Sequence, residues 1–307
     1  MPDAPDLNPE TMLNYVKLVE KDVKRKIKDL RPEAASGPDG IGPRLLQELV
    51  DGLAPALVTV FRKSMDEGEV PDDWRKANVT PIFKKGSKAS PGNYRPVSLT
   101  SVACKIMETI IRDDVTKHLA KNKLLNNSQH GFMKNRSCTT NLIEFLEKAT
   151  TVVDEGGGFD IIYLDFAKAF DKVPIQRLMK KVWAHGIRGR VYSWIRQWLT
   201  GRKQRVVLNG KFSNWEEVLS GVPQGSVLGP LLFLIFINDL DSVVENVVTV
   251  KKFADDTKLG MAVKTDQDRA TLQEALDSLL GWAQKWGMQS NIDKCKIMHM
   301  GRANPLF

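Results

Sequence analysis

Residues 247–263 read VVTVKKFADDTKLGMAV, and well upstream residues 159–166 read FDIIYLDF. In the first stretch valine and phenylalanine alternate with other residues up to Ala254, and apolar residues resume at Leu259, so the pattern predicts a β-hairpin with Asp255 and Asp256 at its turn. Strand neighbours point to opposite faces, so only a turn lets adjacent acids serve one site. In the second stretch Phe159, Ile161, Tyr163 and Asp165 share one face, three apolar bodies followed by a carboxylate. An acid ending a buried face is costly without a cation. Two carboxylate clusters on strand ends therefore point to paired metal ions. Magnesium fits, because it takes hard oxygen ligands and is held by one or two carboxylates plus substrate phosphates. Two such ions about 3.5–4 Å apart can activate an attacking hydroxyl and stabilise a leaving group. FADD alone equally fits a solvated turn, where Asp pairs are common, so the argument depends on the rest of the chain.

With 307 residues and 42% hydrophobic content the chain can bury a sizeable core, as one domain or as two lobes. The formal charge of +8 favours a phosphate-rich partner. Cys104, Cys138 and Cys295 lie far apart with no CxxC spacing, which argues against a disulfide framework or a zinc knuckle and fits a reducing, intracellular compartment. Cys295 and His299 lack a second ligand pair and read as ordinary strand residues. The acidic, proline-rich start MPDAPDLNPE is no secretory signal. The longest apolar run, VLGPLLFLIFINDL, is too short to span a bilayer and reads as a core helix with Pro230 in its first turn. A calcium loop is excluded, since DDTK offers two acids where such a loop needs several oxygens at close spacing. From Thr11 to Leu30, Met12, Tyr15, Val16, Val19, Val23, Ile27 and Leu30 recur at helical spacing with lysines between them, predicting an amphipathic basic helix. A glycine-rich break follows from Pro32 to Pro43.

Eight blocks occur in order: SGPDGIGPRLL from Ser36, VTPIFKKG from Val79, NYRPVSLTSVACKIMETII from Asn93, QHGFMKNRSCTTNL from Gln129, YLDFAKAFDKV from Tyr163, SGVPQGSVLGPLLFLIFINDL from Ser220, FADDTKLG from Phe253 and NIDKCKIMHMG from Asn291. Together they resemble the reverse transcriptase of LINE-type, jockey-like non-LTR retrotransposons. The resemblance implies an α+β, right-hand polymerase fold, with an antiparallel palm sheet backed by helices, a fingers subdomain and the thumb largely absent. On that reading residues 1–35 are a basic helical extension, 36–150 the fingers and 151–307 the palm.

The same resemblance implies the site. Asp165, Asp255 and Asp256 match the catalytic aspartates, Asp165 and Asp255 being primary metal ligands and Asp256 a supporting one, with the main-chain carbonyl of Phe166 also reaching a metal. Phe170 matches the aromatic beneath the incoming sugar, whose bulk excludes a ribose 2′-hydroxyl; without the family it is a plain core aromatic. Asp171 reads as structural, capping the turn before a helix from Pro174 to Trp183. Lys85 and Arg95 are candidates for the triphosphate, with Arg95 favoured because its planar fork matches phosphate bidentately; Lys84 is a weaker one. Gln224 and Gly225 match residues that contact nucleotide and template backbone. Lys294 matches a lysine that protonates, or electrostatically supports, the leaving pyrophosphate. Phe132, Lys134 and Arg136 either hold the template by stacking and phosphate contacts or anchor their own loop.

The activity implied is RNA-directed DNA synthesis with two magnesium ions, manganese being the alternative, on an RNA template, a DNA primer and deoxynucleoside triphosphates, without a membrane and in the nucleus. Ala254 and Phe170 argue against an RNA-copying RNA polymerase, which usually carries glycine before the acid pair and lacks the aromatic. The chain is expected to lack the family's endonuclease, thumb and zinc knuckle, so an endonuclease would act in trans. The competing reading is a catalytically inactive, nucleic-acid-binding remnant of such an element.

Overall fold

The computed structural model describes residues 11–244 and 247–306. In chain order the elements are α1 (Glu20–Lys28), α2 (Pro43–Glu48), α3 (Val50–Glu67), β1 (Lys76–Phe83), β2 (Tyr94–Thr100), α4 (Val102–Lys121), α5 (Cys138–Asp154), β3 (Gly158–Leu164), α6 (Ala169–Lys172), α7 (Ile175–Ala184), α8 (Gly189–Leu199), β4 (Arg202–Leu208), β5 (Lys211–Phe212), β6 (Glu216–Val218), α9 (Gly229–Ile237), β7 (Thr249–Phe253), β8 (Asp256–Val263), α10 (Asp266–Trp286) and β9 (Lys296–Met300). This is a mixed α+β chain. It divides into two compact units, each made from two separate stretches: residues 1–122 with 175–232, and residues 123–174 with 233–307.

The first unit holds a five-stranded sheet in the order β2-β1-β4-β5, with β6 on β4. β1 and β2 form an antiparallel hairpin that carries VTPIFKKG, whereas β4 joins β1 in parallel. α8 contributes Trp194 and Trp198, both fully buried. The expected helix from Thr11 to Leu30 is corrected here: helix begins only at Glu20. Before it, Val16 and Leu18 are buried while Tyr15 and Lys17 are exposed, a period of two rather than 3.6. The backbone there pairs outward, Leu13 N–H donating to Gly186 O and Arg188 N–H to Leu13 O. Those sheet-like bonds outweigh a helical periodicity that a short, lysine-rich segment supports only weakly.

The second unit is built on a four-stranded sheet in the order β7-β8-β3-β9, every pairing antiparallel. α5 and α10 pack on it. Phe145 and Ala149 of α5 meet Phe159 and Ile161 of β3 in a buried cluster that Tyr163 extends, which bears out the face expected for this strand. The apolar run forms α9, and its side chains from Leu231 to Ile237 are all buried. At roughly 1.5–3 kcal/mol for each large apolar side chain removed from water, this helix is a principal contributor to the core. Asp171 lies inside the short α6, and the next helix starts at Ile175.

Candidate active site

The site is built at adjoining ends of β3, β7 and β8. Phe253 pairs with Asp256, leaving Ala254 and Asp255 as a two-residue turn. Ala254 has φ +56°, the positive value that primed hairpin turns require at their first position. That conformation costs a non-glycine residue about 1–2 kcal/mol, and Gln129 offsets it. Its Oε1 accepts from Ala254 N–H at 2.9 Å and from Gly131 N–H at 2.8 Å, while its Nε2 donates to Ala254 O at 3.3 Å. A Cβ on Gly131 would stand 2.4 Å from Ala254 N, so only glycine lets the two backbones approach this closely.

On the neighbouring strand Leu164 pairs with Thr257. The next residues outward, Asp165 and Asp256, are therefore brought together across the strands, with Asp255 beside them in the turn. The segment after α10 completes the group: Ala167 N–H donates to Gln289 O and Asn291 N–H to Asp165 O, both at 2.8 Å. Lys294, in the short turn Ile292–Lys294, then reaches both oxygens of Asp165 at 3.0 and 3.1 Å.

The electrostatics are those of crowded acids. Burial, then repulsion from Asp256 and Asp165, pushes the Asp255 carboxyl up, against a hydrogen bond from its own backbone and the pull of Lys294. Asp256 is likewise pushed up by desolvation and by Asp165, again opposed by Lys294. Groups so placed hold a proton, or a cation, more readily than isolated carboxylates. Among the described residues no set of three or more His, Cys, Asp or Glu side chains forms a ready-made metal cage. The donor chemistry nevertheless fits a divalent ion: hard oxygens, partly desolvated and mutually repelling, with one of them engaged by an ammonium that a metal would replace.

Phe166 is buried, bridges to Ser290 and tilts its ring against Trp282. Phe170 stacks on Phe233 of α9 at 4.3 Å between centroids, and the edge of Phe132 approaches it at 6.2 Å. Phe132 itself is 60% exposed. Lys134 is also exposed, but Arg136 is engaged by its own loop, donating to Gln129 O at 2.8 Å and to Asn127. For Arg136 that is the loop-anchor alternative.

The first unit carries the other candidates. Lys85 and Arg95 are exposed at the end of the β1–β2 hairpin. The loop holding Gln224 and Gly225 is fixed from two sides. Ser98 N–H of β2 donates to Gln224 O at 2.7 Å, and Gly225, at φ +106°, lies so near Ser98 that a Cβ would meet its oxygen at 2.6 Å. From the other side Glu108 of α4, fully buried, accepts from Val227 and Leu228 N–H at 2.8 and 3.1 Å.

The family model described as reverse transcriptase (RNA-dependent DNA polymerase) matches residues 82–305. The chain belongs to the reverse transcriptase family. It is similar to the RNA-directed DNA polymerase from mobile element jockey of Drosophila melanogaster, 31% identical over 290 residues that cover 90% of this chain and 31% of that protein. The jockey polymerase of Drosophila funebris is 28% identical over 284 residues, again 90% of this chain and 31% of its own length. The Pol polyprotein from the type-2 retrotransposable element R2DM of Drosophila melanogaster is 26% identical over 87% of this chain and 25% of its own length. The chain thus spans about a third of the length of the jockey relatives it matches.

Three residues of this reverse transcriptase domain escaped sequence reasoning. Gln129 opens a block that was noticed, but nothing in periodicity gives its amide a task. Glu108 is an acid amid the apolar positions of ACKIMETII, and Lys252 a lysine on the inward face of an alternating strand. Glu108 and Lys252 are polar residues where the pattern demands apolar ones, which is the signal that could have found them, whereas Gln129 carries no such signal. Lys252 is fully buried and donates to Asp241 Oδ1 at 2.6 Å and to Asn238 O at 3.1 Å.

Proposed function

We propose that this chain is a nuclear RNA-directed DNA polymerase of a jockey-like non-LTR retrotransposon, extending a DNA primer on an RNA template from deoxynucleoside triphosphates. The observation that carries the reading is the convergence of Asp165, Asp255 and Asp256 at adjoining strand ends, where burial and the charge of Asp165 raise the cost of ionising Asp255 and Asp256. In this reading the β7–β8–β3–β9 sheet is the palm of a right-hand polymerase and the β1–β2 hairpin belongs to the fingers.

Asp165, Asp255, Asp256 and the Phe166 carbonyl would hold two magnesium ions. Bound there, the ions would lower the pKa of the primer 3′-hydroxyl and neutralise charge on the phosphates. With cations held there, Lys294 would be released from Asp165, and its ammonium would be free to give a proton to the leaving pyrophosphate or to support its charge. Phe170, held against Phe233, presents a rigid ring that refuses a 2′-hydroxyl. Lys85, Arg95, Gln224 and Gly225 orient the nucleotide, with the backbone of Gly225 giving the closest approach. Phe132 and Lys134 contact the template.

Primer extension on an RNA template with deoxynucleotides and magnesium tests this, comparing the chain with its Asp255→Ala, Asp256→Ala double variant. Metal-dependent product from the parent and none from the variant is expected. Template binding without product from either would replace the enzyme by an inactive binding remnant.

A further inference from the structure

The positive charge of this chain comes from one stretch. Residues 172–215 contain 11 lysines and arginines and no acid, against 45 basic and 37 acidic residues in the whole. Taking 11 from 45 leaves 34 against 37, so the remainder is net negative and the +8 arises entirely within these residues. Of the 11, only Lys181 and Arg202 are buried. Such a density of like charge repels itself unless it faces an anion.

From Ile175 onward the stretch lies in the first unit, and strand register sets part of it on one open sheet face. Lys76 lies opposite Lys203 and Asn78 opposite Arg205. Ile82 lies opposite Arg95, and Val207 opposite Phe212. By alternation Lys76, Ile82, Arg95, Lys203, Arg205 and Phe212 share that face, and none of them is buried. Glu217 of β6, opposite Lys203, is the acid on it, and no ion pair joins the two among the described residues. Lys76 is engaged by Asp73, while no ion pair of Lys203 or Arg205 occurs among the described residues.

The Arg205 guanidinium lies between two rings, 4.1 Å from the centre of Phe212 and 4.5 Å from that of Trp215. Its Nε donates to Asn78 Oδ1 at 2.9 Å, which fixes the stack to the sheet. A stack serving only to cover the sheet would hide its rings. Here Phe212 is 56% and Trp215 37% exposed. Exposed aromatics interleaved with unpaired cations on a rigid surface are the means by which single-stranded nucleic acid is held, bases on rings and phosphates on cations.

We propose that this face, centred on Lys203, Arg205, Phe212 and Trp215, is a binding platform for single-stranded RNA. The choice of RNA rests on the polymerase reading, which makes the template the long single strand that the protein meets. The test is fluorescence anisotropy of the full chain with a labelled oligouridylate, without nucleotides or metal. Phe212→Ala with Trp215→Ala should weaken binding about tenfold or more. Lys203→Ala, an exposed change that spares the fold, should lower the slope of log affinity against log salt by roughly 0.7. Lys285→Ala, which removes the same single charge from the second unit, should leave binding at the parent level. Aromatic and Lys203 variants that bind as the parent does would overturn the proposal, as would a parent that binds no RNA or prefers oligothymidylate through these residues. Failure of primer extension with the binding differences intact would count against the polymerase reading alone.

Discussion

Asp255 is half-buried in a tight turn beside two other acids, and its carboxyl is pushed above the ordinary value of 3.8. Between 3.8 and that raised value the native state binds more protons than the unfolded chain, so stability falls as pH rises through the window. At neutral pH the charged carboxylate therefore destabilises the fold. Asp255→Asn should raise stability at pH 7 by on the order of 1 kcal/mol, the usual gain when a functional strain is relieved. The advantage should shrink as pH falls through the raised value, while primer extension drops by about 10²-fold or more. Magnesium should reverse the order, adding about 1.4 kcal/mol to the parent at ten times its dissociation constant and little to the variant. Thermal melts at several pH values, with and without metal, check the three stability effects, and primer extension checks the fourth; a variant less stable than the parent at pH 7 would refute the electrostatic account. The acids themselves were legible in the sequence because a strand period leaves adjacent carboxylates no shared face except at a turn. Gln129, which holds that turn, was not, since its partner lies 125 positions away.

Elements show the same division between what period discloses and what it hides. The faces of β3 and of α9 follow from local alternation and apolar run, whereas the burial of Glu108 depends on where α4 meets a loop more than a hundred residues later. Its carboxylate satisfies two backbone N–H groups just before α9, so Glu108→Ala leaves both unpaired and should cost about 1–3 kcal/mol of stability. Glu108→Gln keeps an accepting oxygen and should restore part of that loss. Both should raise the KM for deoxynucleotide if the loop positions Gln224, whereas a purely structural role would lower the melting temperature and leave KM unchanged. Lys252 presents the sharper case. Burial lowers its pKa, and Asp241 only partly compensates. Its folded pKa lies below 10.5, so its charged form is a liability that raising the pH toward 10.5 relieves. Removing it is worse, because Asp241 is then left buried and unpaired. Lys252→Ala should destabilise by about 3–5 kcal/mol, and the Lys252→Met, Asp241→Leu pair should recover most of that. Denaturant unfolding of the single and double variants decides it; a double variant no more stable than the single would show that the ammonium is needed by the carbonyls of Ile237 and Asn238 rather than by the acid.

At the scale of the whole molecule the sequence discloses composition but not assembly. Each compact unit draws on two stretches of chain, and α9 runs across the boundary at Leu232. A reading along the chain divides it into consecutive pieces and has no local signal for such interleaving, because the contacts that define a unit join residues far apart in sequence. Charge is different, since it can be counted before any fold is known. A uniform +8 over 307 residues would be a weak field, whereas the same surplus concentrated in residues 172–215 is a strong one. The consequence is measurable without any variant. Each phosphate neutralised on a single strand contributes roughly −0.7 to the slope of log affinity against log salt. If about five of the cations that are not buried engage phosphates, raising salt from roughly 50 to 200 mM should weaken RNA binding by about 10²-fold. Stacking on Phe212 and Trp215 involves no counterion release, so the affinity that persists at high salt should be the part lost in the Phe212→Ala, Trp215→Ala variant. A nearly flat salt dependence would mean that the basic stretch faces something other than a nucleic-acid backbone.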